Sequence, residues 1–413
     1  MIAITKNLTT AEKKSYTPPL AQAANRITSI DLLRGIVMII MALDHTRDYF
    51  HADAFFYDPT NLTQTNAAVF FTRWITHFCA PTFVFLSGTS AFLMSQRKSK
   101  KELAGFLLTR GLWLIFLEIS VINFGWYFDI NFTNLFDLSV FWALGGSMIA
   151  LAGLIFLPTP LILVIGIVLI LGHNLLDNIH VPGNDMEAYG WSLLHDSKGG
   201  FIILGKNSVV AYPILPWIGV MASGYCLGSL YSKSVTVVKR KKTLVILGVL
   251  SIVLFIVIRF INIYGDLVPW SVQGTSAFTI MSFLNVTKYP PSLLFVLMTL
   301  GPALLFLAFA EKPLNRFTLI ISTFGRVPLF YYLLHLYMIH LLGMLAAEFT
   351  GYDWSDMVLS TWVTEYPGLD GYGFHLGIVY LIWIGIIIVL FPLCKWYDRY
   401  KTAHKEKGWL SYL

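Results

Sequence analysis

Residues 29–51, SIDLLRGIVMIIMALDHTRDYFH, open the hydrophobic part of the chain and end in a group of ionisable side chains. Arg34 and His45 are eleven residues apart, which on a helix is three turns to within ~20°, so both leave one face about 16 Å apart along the axis. Met38 and Met41 lie between them on that stripe, and Asp48 follows one turn beyond His45. An imidazole near its intrinsic pKa works as a general base or carries an acyl group covalently, and a neighbouring carboxylate fixes its tautomer. Asp48 and Asp44 are the carboxylates placed to do so. Arg34 suits a phosphate. A substrate with a phosphate head at one end and a reactive group one pantetheine arm away fits the spacing, and acyl-coenzyme A is such a molecule. The plainer alternatives are a snorkelling anchor for Arg34 and a buried ion pair of Asp44 with Arg47, or of Asp48.

Other ionisable groups fall inside apolar runs, where they need a partner or a water-filled cavity. His77 precedes Pro81 in a segment running antiparallel to the first, at a depth comparable with His45, so the two face one site with Arg73 beside them; a hydrogen-bonded structural histidine fits as well. In TFGRVPLFYYLLHLYMIH, 323–340, His335 is near mid-membrane on the substrate side with Arg47 and Arg73, while His340 is on a different face. Arg326 stands where a Gly-Pro interruption offers free N–H groups to an anion, and joins Arg34 on a diphosphate or merely anchors the helix. Ser87, Gly88 and Ser90 are small enough for close helix packing or for the thin wall of a channel. Arg110, Glu118 and Arg259 read as structural, each with a partner on another helix. Outside, Tyr189, Trp191, Trp270, Tyr352 and Trp354 accompany Asn184, Asp185 and Asp353, a composition that suits a sugar and equally an interfacial aromatic belt.

The elements that must position these groups follow from composition. Of 413 residues, 56% are hydrophobic and 13% charged, and the apolar runs repeatedly reach the roughly 20 residues a helix needs to cross a bilayer. The expectation is an all-α polytopic bundle of about ten spans, near 29–50, 67–96, 103–124, 135–156, 161–176, 211–231, 244–264, 292–310, 325–349 and 374–395. The runs lack the alternating ten-residue pattern of an outer-membrane barrel. Lys and Arg gather at Lys13, Lys14 and Arg26, at 97–101, 233–242, 312–316 and 395–407, on alternate sides of those spans, which places both termini in the cytoplasm. The net charge of +6 is therefore an orientation signal and no nucleic-acid footprint. Residues 1–28 read as a cytoplasmic tail with no cleaved signal, 29–396 as the membrane domain and 397–413 as a second cytoplasmic tail. Thr28 with Asp31 resembles a capping box. Cys79, Cys226 and Cys394 have no metal or redox spacing, and no metal is implied.

The motif LRGIVMIIMALDH, Arg34-x10-His45, resembles that of the membrane-bound acyltransferase 3 proteins. Together SIDLLRG, DHTRDYFH, THFCAPTFVFLSGTSAF and FGRVPLFYYLLHLYMIH are similar to bacterial proteins with a heparan-alpha-glucosaminide N-acetyltransferase catalytic-like domain, the former DUF1624 group. That resemblance covers roughly 28–342. It implies transfer of an acyl group, acetyl in the first instance, from cytosolic acyl-coenzyme A to a sugar or glycan across the membrane, here the inner membrane of a bacterium. Membrane lipid is the other partner, and a homo-oligomer is compatible. In the lysosomal branch the catalytic histidine follows the first helix, whereas acyltransferase 3 proteins place it at the helix end. The candidates are then His51 and His45, of which His45 has the depth and the carboxylate neighbours. A secondary transporter is the rival reading, because midplane charges and broken helices also mark transport pathways.

Overall fold

The computed structural model describes residues 27–363 and 367–411; of the expected tail at 1–28, residues 1–26, with Lys13, Lys14 and Arg26, lie outside the described residues. Its α-helices are α1 Thr28–Phe50, α2 Ala67–Trp74, α3 Cys79–Ser95, α4 Lys100–Leu117, α5 Asn123–Tyr127, α6 Val140–Leu154, α7 Thr159–Gly172 and α8 Met186–Leu194. After the strands β1 Lys198–Ile203 and β2 Lys206–Val210 come α9 Ile214–Leu227, α10 Val237–Ile261, α11 Ser276–Leu284, α12 Leu293–Phe309, α13 Arg316–Arg326, α14 Pro328–Phe349 and α15 Leu376–Ala403. Seven helical stretches among the described residues are long and apolar enough to cross a membrane: Ala67–Ser95, Lys100–Tyr127, Thr159–Leu176, Ile214–Tyr231, Val237–Ile261, Pro328–Phe349 and Leu376–Ala403. The chain is an integral membrane protein. Val140–Leu154 and Leu293–Phe309 are apolar but shorter.

Its Asp and Arg side chains, Asp31, Arg34, Asp44, Arg47 and Asp48, keep α1 out of the seven. It packs against α3, α13, α14 and α15, and 17 of its 23 residues are buried, so its ionisable groups face protein instead of lipid. By contrast α10 has 25 residues, of which only Leu244, Gly248, Phe255 and Arg259 are buried. The α1–α13 crossing is close because both helices carry glycine there. A Cβ on Gly35 would sit 2.1 Å from the Ile321 carbonyl oxygen, and one on Gly325 1.9 Å from that of Asp31. This contact brings the Arg34 and Arg326 ends of the two helices together.

Several expected boundaries shift for local reasons. The span at 67–96 is two α segments joined by a 3-10 turn at Ile75–Phe78, because Pro81 in the first turn of α3 has no N–H to give and its ring crowds the preceding turn. Glycine-proline punctuation at 325–328 likewise separates α13 from α14, with Arg326 ending the former. α1 does start at Thr28, but its N-cap is Ile27, which makes no side-chain cap bond; Asp31 instead lies 3.6 Å from Arg34. The helix from Lys100 continues through a π-helical turn, Glu118–Ile122, into α5. One departure from all-α is the antiparallel hairpin β1–β2, paired Phe201 with Ser208 and Ile203 with Lys206. Its turn residues Leu204 and Gly205 both take positive φ, 49° and 74°, the two-residue geometry whose twist matches paired strands. α15 continues past the expected boundary at 396 to Ala403.

Candidate active site

Two cavities adjoin on α1. One, of about 290 Å³, is lined by Arg34, Arg110, Arg326 and Lys401 with Ser87 and Ser90. The other, of about 440 Å³, is lined by Asp44, His45, Arg47, Asp48 and Arg73. Met41, Ala80, Val140 and Tyr332 line both. The two spaces thus meet at one wall, and His45 stands one helical turn beyond Met41.

In the first cavity Arg34 donates to Ser90 Oγ at 3.0 Å and to the Gly325 carbonyl at 3.3 Å, which fixes its guanidinium against α3 and α13. Arg326 donates to Asp398 of α15 at 2.9 Å and to Thr323 Oγ1 at 3.0 Å. Four cationic side chains and, among the described residues, no carboxylate line this space, which favours a multiply charged anion. Gly88 serves helix packing: a Cβ there would lie 2.1 Å from the Met221 carbonyl oxygen of α9. Arg110, a structural residue by sequence, belongs to this lining. Lys401 also belongs to it, and falls in what reads as a tail.

The second cavity holds an ion-pair network. Asp44 binds the Arg73 guanidinium and its other oxygen lies 3.1 Å from Arg47, while Arg47 also pairs with Asp48. Buried guanidinium atoms Arg47 Nε and Nη1 and Arg73 Nε have no partner among the described residues, leaving donors for a polar molecule. Asp58 stands at the rim. Partial desolvation pushes its carboxyl up, but Arg73 and hydrogen bonds from the hydroxyl and amide of Thr60 outweigh this and hold it below its ordinary value. Trp126 meets His45 edge-on at 4.7 Å and lies 5.3 Å from Trp362. These two indoles line the cavity with Tyr127, Tyr212 and Tyr289, whereas Tyr189, Trp191, Trp270, Tyr352 and Trp354 are outside its lining.

His45 is oriented by a residue 290 positions away. Its Nδ1 lies 2.9 Å from His335 Nε2, and His335 Nδ1 lies 2.9 Å from the Tyr331 carbonyl oxygen. A carbonyl only accepts, so the His335 proton is on Nδ1 and its Nε2 offers a lone pair. His45 must then donate from Nδ1, which assigns the lone pair of the neutral ring to His45 Nε2. Asp48 and Asp44 are engaged by arginines, so the structure brings His335, and neither carboxylate, onto the imidazole.

His51 and His77 lie elsewhere. His51 ends α1, its amide donating to Arg47 O at 3.0 Å and its backbone bridging to Phe374; it lines neither cavity, and burial pushes its imidazole pKa down. His77 is buried against Phe295, ring centroids 5.5 Å apart, and also lines neither. His340 is held between the carbonyls of Gly125 and Met357 at 2.9 and 2.8 Å.

Two structural groups support the shared wall and the bundle. Glu118 accepts from Ser139 Oγ at 2.6 Å and from the amides of Phe141 and Trp142 at 2.7 and 2.9 Å, satisfying the free N–H groups at the start of α6 that carries Val140. Arg259 donates to the carbonyls of Phe283, Val268, Ser282 and Asn285.

The site and fold define a helical membrane protein in which an anion-favouring cavity abuts a polar one at a histidine pair. The chain belongs to the heparan-alpha-glucosaminide N-acetyltransferase catalytic family, whose sequence profile matches residues 26–260. No curated protein matches the chain. Arg34, His45 and Arg73 fall inside the matched stretch, while Arg326, His335 and Lys401 lie beyond it.

Proposed function

We propose that this protein is a membrane acyltransferase that moves an acetyl group from cytosolic acetyl-coenzyme A to an amine or hydroxyl of a sugar or glycan outside the cytoplasm. The observation that carries this reading is the meeting of two chemically different cavities at His45. In it, ten spans, the seven long helices with α1, α6 and α12, place both termini in the cytoplasm. The Arg34 cavity opens to the cytosol and the His45 cavity to the other side.

Coenzyme A phosphates lie against Arg34 and Arg326, with Arg110 and Lys401 adding positive charge. The pantetheine arm follows Ser87 and Ser90 and brings the thioester to the wall of Met41, Ala80, Val140 and Tyr332. A sugar stacks on Trp126 or Trp362 and engages the spare donors of Arg47 and Arg73. His45 Nε2 takes a proton from the acceptor as its nitrogen or oxygen bonds to the thioester carbon. The carbon–sulfur bond breaks, and the imidazolium returns that proton to the departing thiolate, giving acetylated sugar and free coenzyme A. His335 positions His45. Asp44 and Asp48 hold Arg47 and Arg73, and His51 and His77 stand outside this scheme.

The test is purified protein with radiolabelled acetyl-coenzyme A and glucosamine-containing glycans, comparing wild type, His45→Ala, His51→Ala and His77→Ala. The expected result is label in the glycan, lost with His45→Ala and retained in the other two. Sugar transport with neither acetyl transfer nor thioester hydrolysis overturns the reading in favour of a transporter.

A further inference from the structure

Away from both cavities, His173, Asp177 and His195 place one ligand atom each within 4.8 Å of one another. His173 ends α7, Asp177 follows one turn later, and His195 ends α8 immediately before the hairpin. His195 Nε2 and Asp177 Oδ1 are 3.1 Å apart. That is close to the edge of a tetrahedron with 2.0–2.1 Å metal–ligand bonds, which is about 3.4 Å. His173 needs to close by about 1.4 Å at most to complete a face of it.

The imidazole of His173 gives the independent sign of a ligand. It is 3% exposed, yet among the described residues neither Nδ1 nor Nε2 has a hydrogen-bond partner, and Nδ1 of the equally buried His195 has none. Buried polar atoms are nearly always satisfied, and a histidine with both nitrogens empty calls for an unseen partner. The carboxylate is already aimed: Asn174 Nδ2 donates to Asp177 Oδ2 at 2.8 Å, and Asn174 Oδ1 is itself held by the Leu293 amide at 2.9 Å. A carboxylate fixed by an outer amide is the usual support of a metal ligand.

We propose that His173, Asp177 and His195 form a structural site for a divalent transition metal, zinc by preference, that fastens the end of α7 to α8 and the root of the hairpin. Two imidazoles and one carboxylate suit zinc or cobalt and disfavour the hard cations magnesium and calcium. The hairpin beside the site reaches the polar cavity, because Val209 of β2 and the following Ala211 and Tyr212 line it. The metal steadies that wall and takes no part in the transfer.

The experiment uses full-length protein carrying a tag without histidines, stripped with dipicolinate, equilibrated with zinc chloride and washed. Elemental analysis is expected to find one zinc per wild-type chain. It should fall by at least about tenfold in His173→Ala and His195→Ala, with Asn174→Ala weakened about ten- to a hundredfold and His404→Ala unchanged. Cobalt loaded into wild type should give the visible bands of a tetrahedral site, displaced by zinc and not by magnesium. Because wild type alone carries this second readout, misfolding of a variant does not protect the proposal. Wild type that retains less than a tenth of an equivalent of zinc and shows no cobalt bands overturns it, as does zinc retention equal in wild type and both histidine variants. Neither readout depends on acetyl transfer.

Discussion

The two cavities on α1 treat charge in opposite ways. The Arg34 cavity is lined by Arg34, Arg110, Arg326 and Lys401 and, among the described residues, by no carboxylate, although Asp31 pairs with Arg34 and Asp398 with Arg326. In the His45 cavity Asp44, Asp48, Asp58 and Asp137 stand against Arg47, Arg73 and Lys288. A surplus of cations gives an anion its affinity, whereas a nearly balanced network presents directed donors and acceptors with little net field. The first space is therefore suited to a ligand held by charge, and the second to one met by hydrogen bonds. Between them stands an imidazole that belongs to neither pattern, because its orienting partner is another imidazole.

The sharpest way to break this comparison is at its junction. His45→Ala should lower kcat for acetyl transfer by about 10²–10⁴-fold, with binding of acetyl-coenzyme A by calorimetry little changed. A second substitution tests the orienting pair: His335→Phe removes the acceptor of His45 Nδ1 and should cost about 10- to 100-fold in kcat, as a lost charge-assisted hydrogen bond does. His335→Gln, which keeps an acceptor, should recover part of it, and a pH–rate profile identical in all three forms counts against the orienting pair. Arg34→Ala addresses the charged cavity and should raise KM for acetyl-coenzyme A about tenfold with a smaller change in kcat. Wild-type KM should rise with salt more steeply than that of the variant.

The smallest effect belongs to the rim of the balanced cavity. Because the folded Asp58 carboxyl is held below its ordinary value, it contributes stability above the unfolded pKa of about 4 and loses it as pH falls through the folded value. Asp58→Asn should thus lower Tm slightly at pH 7, with the difference from wild type vanishing on acidification below about pH 4. A difference that instead grows with acid would show the carboxylate to be unfavourable where it sits.

How legible the site was depends on where each residue's partner lies in the chain. Arg34 and His45 announce themselves because a fixed helical repeat converts their spacing into a shared face. His335 stands out only as an isolated intramembrane histidine, since nothing local to 323–340 reveals that α14 packs on α1. For the same reason Asp48 was the natural sequence candidate to orient His45, being one turn away, although Arg47 beside it competes for the carboxylate. Arg110 and Lys401 look structural or peripheral until α4 and α15 close around the Arg34 cavity. The hairpin was hidden by a Leu204-Gly205 turn that lacks the usual Asn-Gly signature. His173 and Asp177 do stand four apart, but the third member of the cluster is eighteen residues farther on and becomes a neighbour only through the fold.

The Tyr331 carbonyl has an electrical consequence. It holds the proton of His335 on the far nitrogen and, as a very weak base, ends the chain there, so a proton that His45 hands to the His335 Nε2 lone pair goes no further along α14. Its exit is with the departing thiol. In the proposed transfer, a neutral acceptor on one side of the membrane gives up a proton while gaining an acyl cation equivalent, and the two cross in opposite directions. Such an exchange moves no net charge, so turnover in sealed vesicles should be indifferent to an imposed membrane voltage, and the proposed reaction leaves the membrane's electrical gradient untouched.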